Sequence, residues 1–90
     1  MKLEWTLIAR TDRVRIAHTI AQDSPSAARK LDIRLETSAD ALLDYPYRGR
    51  SGRLEMTREL VVHPSYILVY EVDGDTIRVL TVIHAAQRWP

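Results

Sequence analysis

The segment RELVVHPSYILVYEVDGDTIRVLTVIH, residues 58–84, decides the fold. It divides into three runs rich in β-branched and aromatic residues, Arg58–Val62, Tyr66–Val72 and Thr76–Ile83. Asp73-Gly74 separates the last two, and its glycine takes the positive φ of a tight hairpin turn at no steric cost. His63-Pro64-Ser65 makes the other reversal. Strands joined by connections this short pair with their neighbours, so the three are predicted to form an antiparallel meander.

Upstream of the meander the periodicity changes. Lys2 to Ile8 alternates, with Leu3, Trp5 and Leu7 on one side, which predicts a half-buried strand. Thr11 or Asp12 is the expected cap of a first helix that carries Val14, Ala17 and Ala21, with Ile16 and Ile20 beside them. Asp23-Ser24-Pro25 ends that helix and starts a second, since proline at the first helical position lacks only an amide hydrogen that would be unpaired there. Ala28, Leu31, Leu35, Ala39 and Leu42 then recur at three- and four-residue spacing and form the buried stripe of the second helix. The predicted class is therefore α+β: an N-terminal strand, a helical hairpin, then a three-stranded antiparallel meander, forming one sheet with the helices on one face.

Ninety residues, 46% of them hydrophobic and 28% charged, suit a single domain spanning 1–90. The absence of cysteine removes disulfides, thiol nucleophiles and cysteine-ligated zinc, and fits a cytoplasmic location. No apolar run approaches the roughly 20 residues of a membrane span, and no charged, then apolar leader opens the chain. Nucleotide-binding glycine loops, the HExxH metal motif and the serine-hydrolase elbow are all missing, and His18, His63 and His84 are scattered, so neither cofactor nor metal is expected.

The positive charge is local. Residues 1–47 hold seven basic and seven acidic side chains, whereas between Arg48 and Arg58 four arginines, at 48, 50, 53 and 58, face the single acid Glu55. Pro46, Gly49 and Gly52 mark this stretch as loop, and such a cluster suits phosphate or an acidic protein segment unless it is simply solvated. Arg58, Tyr70, Arg78, His84 and the terminal Gln87-Arg88-Trp89-Pro90 are expected to converge on the strand face away from the helices. Such a set has a chemical logic. Cleaving RNA through its own 2′-hydroxyl needs a base, cationic donors for the charge that develops on phosphate, and an acid for the leaving oxygen. His84 is of the side-chain type most often used as acid or base; Arg58 and Arg78, on strands, suit a rigid phosphate site; Arg88 and Trp89 suit contact with nucleic acid or a partner. Each residue also has a purely structural role open to it: a strand-end bond for His84, core packing for Tyr70, a cross-strand ion pair with Glu59 for Arg58, and closure of the core for Trp89.

The residues together resemble a known family. Pro46-Tyr47-Arg48-Gly49-Arg50, Gly52-Arg53 and Thr57-Arg58-Glu59-Leu60-Val61-Val62 are similar to a run in the RelE/ParE toxins of type II toxin–antitoxin systems. So are Tyr66-Ile67-Leu68-Val69-Tyr70, the ending Val82 to Pro90, and the Asp23-Ser24-Pro25-Ser26-Ala27-Ala28 stretch. The resemblance covers essentially the whole chain. It implies a helical hairpin on a twisted antiparallel sheet, and a cognate antitoxin, encoded next door and acidic where it binds, in a toxin–antitoxin hetero-oligomer. It implies growth arrest by a RelE-like mRNA interferase or, as the alternative, by a ParE-like gyrase inhibitor. RelE-like members are metal-independent endoribonucleases that cut ribosome-bound mRNA, and ParE-like members inhibit DNA gyrase without cutting RNA. In an mRNA interferase, His84, Arg58, Arg78 and Tyr70 take the catalytic positions, while Arg48, Arg50, Arg53, Arg88 and Trp89 contact nucleic acid or partner. Histidine-dependent members carry further histidine and aspartate where this chain has Tyr45, Val61 and Ser65.

Overall fold

The computed structural model describes Met1–Pro90. Its elements run β1 (Lys2–Trp5), α1 (Leu7–Ala21), α2 (Pro25–Ala41), β2 (Arg50–Ser51), β3 (Arg58–His63), β4 (Tyr66–Asp73) and β5 (Thr76–His84). They form an α+β fold with one five-stranded mixed sheet in the order β1-β5-β4-β3-β2. The meander forms as expected, β3 and β5 each pairing antiparallel with β4, with one register shift in each pairing. Gly74 turns it with φ 59°. The first strand joins the far side of β5 in parallel, Leu3 opposite Ile77 and Trp5 opposite Val79.

Three boundaries differ from the sequence-based expectation. The first helix starts at Leu7, capped by Thr6, whose hydroxyl accepts the Ala9 amide and donates to the Leu80 carbonyl. The apolar residues Leu7 and Ile8 extend the alternation of the strand by chance, yet both are exposed on the first turn of the helix. Neither Thr11 nor Asp12 is a cap. The loop after α2 also contains a two-residue strand, Arg50–Ser51, paired with Glu59 and Arg58. The second helix begins where Ser24 and Pro25 predict, with the serine hydroxyl accepting the Ala27 amide.

Asp12 serves the sheet instead. The β4–β5 register shifts between Val69 and Tyr70, which pair with Thr81 and Val79, so Leu80 is the extra residue of a bulge. The Asp12 carboxylate accepts the Thr81 hydroxyl and, at 3.0 Å, the Val82 amide. The bulge also returns Val82 to the helix-facing side. The core between helices and sheet gathers Ala9, Ile16, Leu31, Leu35, Ala39 and Leu42 against Val62, Leu68, Tyr70, Ile77, Val79 and Val82. Arg13 links the layers, its guanidinium 2.9 Å from Asp32 on α2 and 4.5 Å from the centroid of the Trp5 ring. The opposite sheet face is not bare: Ile67, Val69 and Ile83 are buried there beneath Leu80 and Trp89.

Candidate functional site: the arginine loop and the two sheet faces

Strand alternation divides the expected catalytic set. Arg58 lies opposite Tyr70 and shares the helix-facing side with Leu60 and Val62, whereas Arg78 lies opposite Glu71 on the outer face. His84 lies opposite Tyr66, which is four residues along β4 from Tyr70, or about 13 Å at strand rise. The predicted convergence of these four on the outer face is thus corrected: two are on the inner face at one end of the sheet, one is on the inner face at the other end, and one is outside.

Each of the four already has partners. Tyr70 is fully buried; its hydroxyl accepts the Gly49 amide at 2.9 Å and donates to the Pro46 carbonyl at 2.8 Å. Burial pushes its phenol above the ordinary value, against smaller opposing pulls from Gly49 and Arg58, so it stays protonated at neutral pH. Arg58 does not pair with Glu59. It donates to the Tyr47 and Gly49 carbonyls, at 3.2 and 2.8 Å, with its guanidinium 4.9 Å from the Tyr47 ring centroid. Arg78 is surrounded by acids, Glu71 at 2.8 Å, Asp73 at 3.3 Å and Glu4 at 3.7 Å. The Glu71 and Asp73 bonds hold its pKa still higher than usual. His84 accepts the Ala86 amide on Nδ1, and its ring sits edge-on to Tyr66 at 5.3 Å.

The remaining arginines form a second assembly. Glu59, 2% exposed, accepts the Arg53 amide at 3.0 Å and faces the Arg50 and Arg53 guanidiniums at 3.3 and 3.4 Å. One buried carboxylate thus organises two arginines on the outer side, a role that its position beside Arg58 does not signal. Arg53 Nη1 reaches on to the Gln87 and Trp89 carbonyls at 3.4 Å, tying the C-terminal tail to the loop. Arg88 is exposed on that tail, and the half-buried Trp89 packs on the Ile67, Val69 and Ile83 cluster. Arg48 points elsewhere, beside Tyr45 and Tyr47 at the end of the molecule where α2 runs out. No three His, Cys, Asp or Glu side chains gather closely enough to hold a metal ion, and no helix is long and apolar enough to cross a membrane.

Comparison with known proteins places this architecture. The family model described as the ParE toxin of the type II toxin–antitoxin system parDE matches residues 3–89. Y4kP of Sinorhizobium fredii is 42% identical over 90 residues, 99% of this chain and 93% of that protein. Toxin RelE2 of Caulobacter vibrioides is 41% identical over 83 residues, 92% of this chain and 93% of that one. Among solved structures, the chromosomal ParDE system of P. aeruginosa superposes with a TM-score of 0.80 at 23% identity, over 93% of this chain and 95% of that one. YafQ of E. coli does so with 0.65 at 17%, over 94% and 93%. At those identities the two structures speak for the fold alone.

Proposed function

This chain belongs to the ParE toxin family of type II toxin–antitoxin systems, within the RelE/ParE superfamily, and from that premise we propose that it inhibits DNA gyrase by binding, without cutting RNA. The observation that carries this reading is the dispersal of the groups an RNA cut would need. A base, a phosphate clamp and an acid must act within hydrogen-bond reach of one reacting centre. Here His84 on β5 and Arg58 on β3 are offset by about 13 Å along the strands and have β4 between them, and Arg78 lies through the sheet from both. Arg58 Nη1 and the Tyr70 hydroxyl are bonded to backbone, and Arg78 is paired with three carboxylates.

What is left free suits association. Arg50 and Arg53 share a single carboxylate, so their surface keeps a net positive charge beside exposed Arg88 and the Trp89 ring. Arginine and tryptophan are the side chains that most often anchor protein interfaces, because each combines apolar area with directed hydrogen bonds. The toxin works in the cytoplasm, held silent by its cognate antitoxin until that partner is lost.

Supercoiling by purified gyrase, titrated with the free chain, tests the proposal alongside a map of mRNA 5′ ends in cells induced for the chain. Inhibition of supercoiling with no new 5′ ends is the expected result, and His84→Ala should leave growth arrest intact. Site-specific mRNA ends that vanish in His84→Ala, with gyrase unaffected, would establish the ribonuclease instead.

A further inference from the structure

The hairpin between β2 and β3 carries the most exposed large apolar side chain of the molecule, Met56, at 80%. Met56 is also the one residue other than glycine with a positive φ, at 68°. The Leu54 carbonyl accepts the Thr57 amide at 3.2 Å, so residues 54–57 form a tight turn with Met56 in its third position. Where that position takes positive φ, glycine or asparagine is the usual occupant, because a larger side chain crowds the backbone there. The turn is clamped on both sides. The Thr57 hydroxyl donates to the same Leu54 carbonyl at 2.6 Å, and the Gly52 amide donates to the Thr57 carbonyl at 2.8 Å. A side chain at Gly52 would collide with that hydroxyl, and the buried Glu59 holds the Arg53 amide at 3.0 Å. Methionine is thus kept in a strained conformation with its side chain in water, and neither apolar cluster includes it. Packing within the fold does not account for it.

We propose that Met56 is the apolar anchor with which the toxin enters a cleft of its folded target enzyme. The proposal rests on the reading of this chain as an inhibitor that acts by binding, and it adds the residue that makes the contact. Backbone strain persists at positions where function uses it, and the unbranched thioether adapts to an irregular apolar cavity. Shape selects the partner. A short helix or extended segment, the form in which an antitoxin covers a toxin, buries its own side chains in grooves of the surface it lies on. A side chain at the tip of a hairpin is buried only by a concave surface, which a large folded protein supplies, as when a protruding loop inserts into a concave epitope. Nucleic acid is disfavoured because Glu55, exposed beside Met56, would meet phosphate with like charge. Arg50 and Arg53 stand at the base of the same hairpin, both fixed by Glu59, so little ordering remains to be done on binding.

Substitutions at this one position test the proposal in the full chain. Met56→Gly and Met56→Asn relieve the strain and remove the anchor, while Met56→Leu keeps the apolar bulk. The glycine and asparagine variants should melt level with the parent or up to about 5 °C above it. They should nevertheless lose growth arrest on induction and need about 30-fold more chain for half-inhibition of gyrase supercoiling, as loss of an interface anchor does. Their calorimetric Kd for the antitoxin encoded next door should stay within about threefold of the parent, and Met56→Leu should inhibit within the same margin. A glycine variant as toxic as the parent would overturn the proposal, and so would one that melts well below it. Loss of antitoxin affinity in step with toxicity would overturn it too, by assigning the contact to the antitoxin. A parent that arrests growth without touching supercoiling, beside a harmless Met56→Gly, would defeat the gyrase reading and sustain this inference.

Discussion

Tyr70 shows how a residue's chemistry is set by what surrounds it. In the sequence it is a tyrosine at an alternate position of a strand, suited to a core first and to an acid second. The fold encloses its ring and gives its hydroxyl two backbone partners, which makes it a fastening for the Pro46–Gly49 loop. Tyr70→Phe keeps the ring and leaves the buried Gly49 amide and Pro46 carbonyl unpaired, so denaturant unfolding should show a loss of about 1–3 kcal/mol. The pH dependence has a definite sign. Burial raises the folded-state phenol above its ordinary value of 10.0, so the unfolded chain releases that proton first. The stability linked to Tyr70 is complete below that value and drains away as pH climbs through the folded pKa. Stability curves of parent and Tyr70→Phe should therefore approach each other above about pH 10; curves that stay parallel would show that the phenol is not buried in solution. Glu59 illustrates the converse: its carboxylate gathers two arginines that a count of charges treats as free.

Among the secondary-structure elements, the instructive case is the contact of α1 with the β5 bulge. A bulge leaves a strand amide without its ladder partner, and in a covered sheet that amide must be satisfied by something else. Asp12 supplies it from one turn inside α1, while Thr6 at the helix start takes the Leu80 carbonyl side of the same irregularity. Asp12→Ala removes both the Val82 and the Thr81 interactions and should cost about 1–3 kcal/mol, with faster hydrogen exchange at the Val82 amide. Ser24→Ala, the loss of an ordinary helix cap, should cost about 1 kcal/mol and leave that amide protected. If Asp12 were merely a helix-entrance residue, the two variants would be alike and the amide would be indifferent to both.

For the whole molecule, the sheet has two working sides. The inner side carries the main core, and the outer side is closed only by Leu80 and the Trp89 ring over Ile67, Val69 and Ile83. The tail is thus part of the fold as well as of the cationic surface, since Arg53 holds its carbonyls. Deleting residues 87–90 should uncover that second cluster, lower stability by roughly 1–2 kcal/mol in apolar burial, raise the fluorescence of a hydrophobic dye, and abolish inhibition of supercoiling. Full inhibition by the truncated chain would rule the tail out of the proposed gyrase contact. Mixed topology gives the molecule its asymmetry: β1 closes one edge in parallel, while β2 covers only the first two residues of β3 at the other.

The order of strand, hairpin and meander was legible in the sequence because periodicity and turn chemistry are local: Ser24-Pro25, Asp73-Gly74 and the Leu31-Leu35-Ala39 stripe each act through neighbours a few bonds away. The family was legible for the same reason, its motifs being runs of adjacent residues. The grouping of side chains was not. Whether Arg58, Arg78 and His84 meet depends on which face each strand presents after a bulge at Leu80, and on which carboxylates lie across the sheet. Those are relations between residues distant in the chain, and only the packed structure brings them within the few ångströms over which hydrogen bonds and ion pairs act.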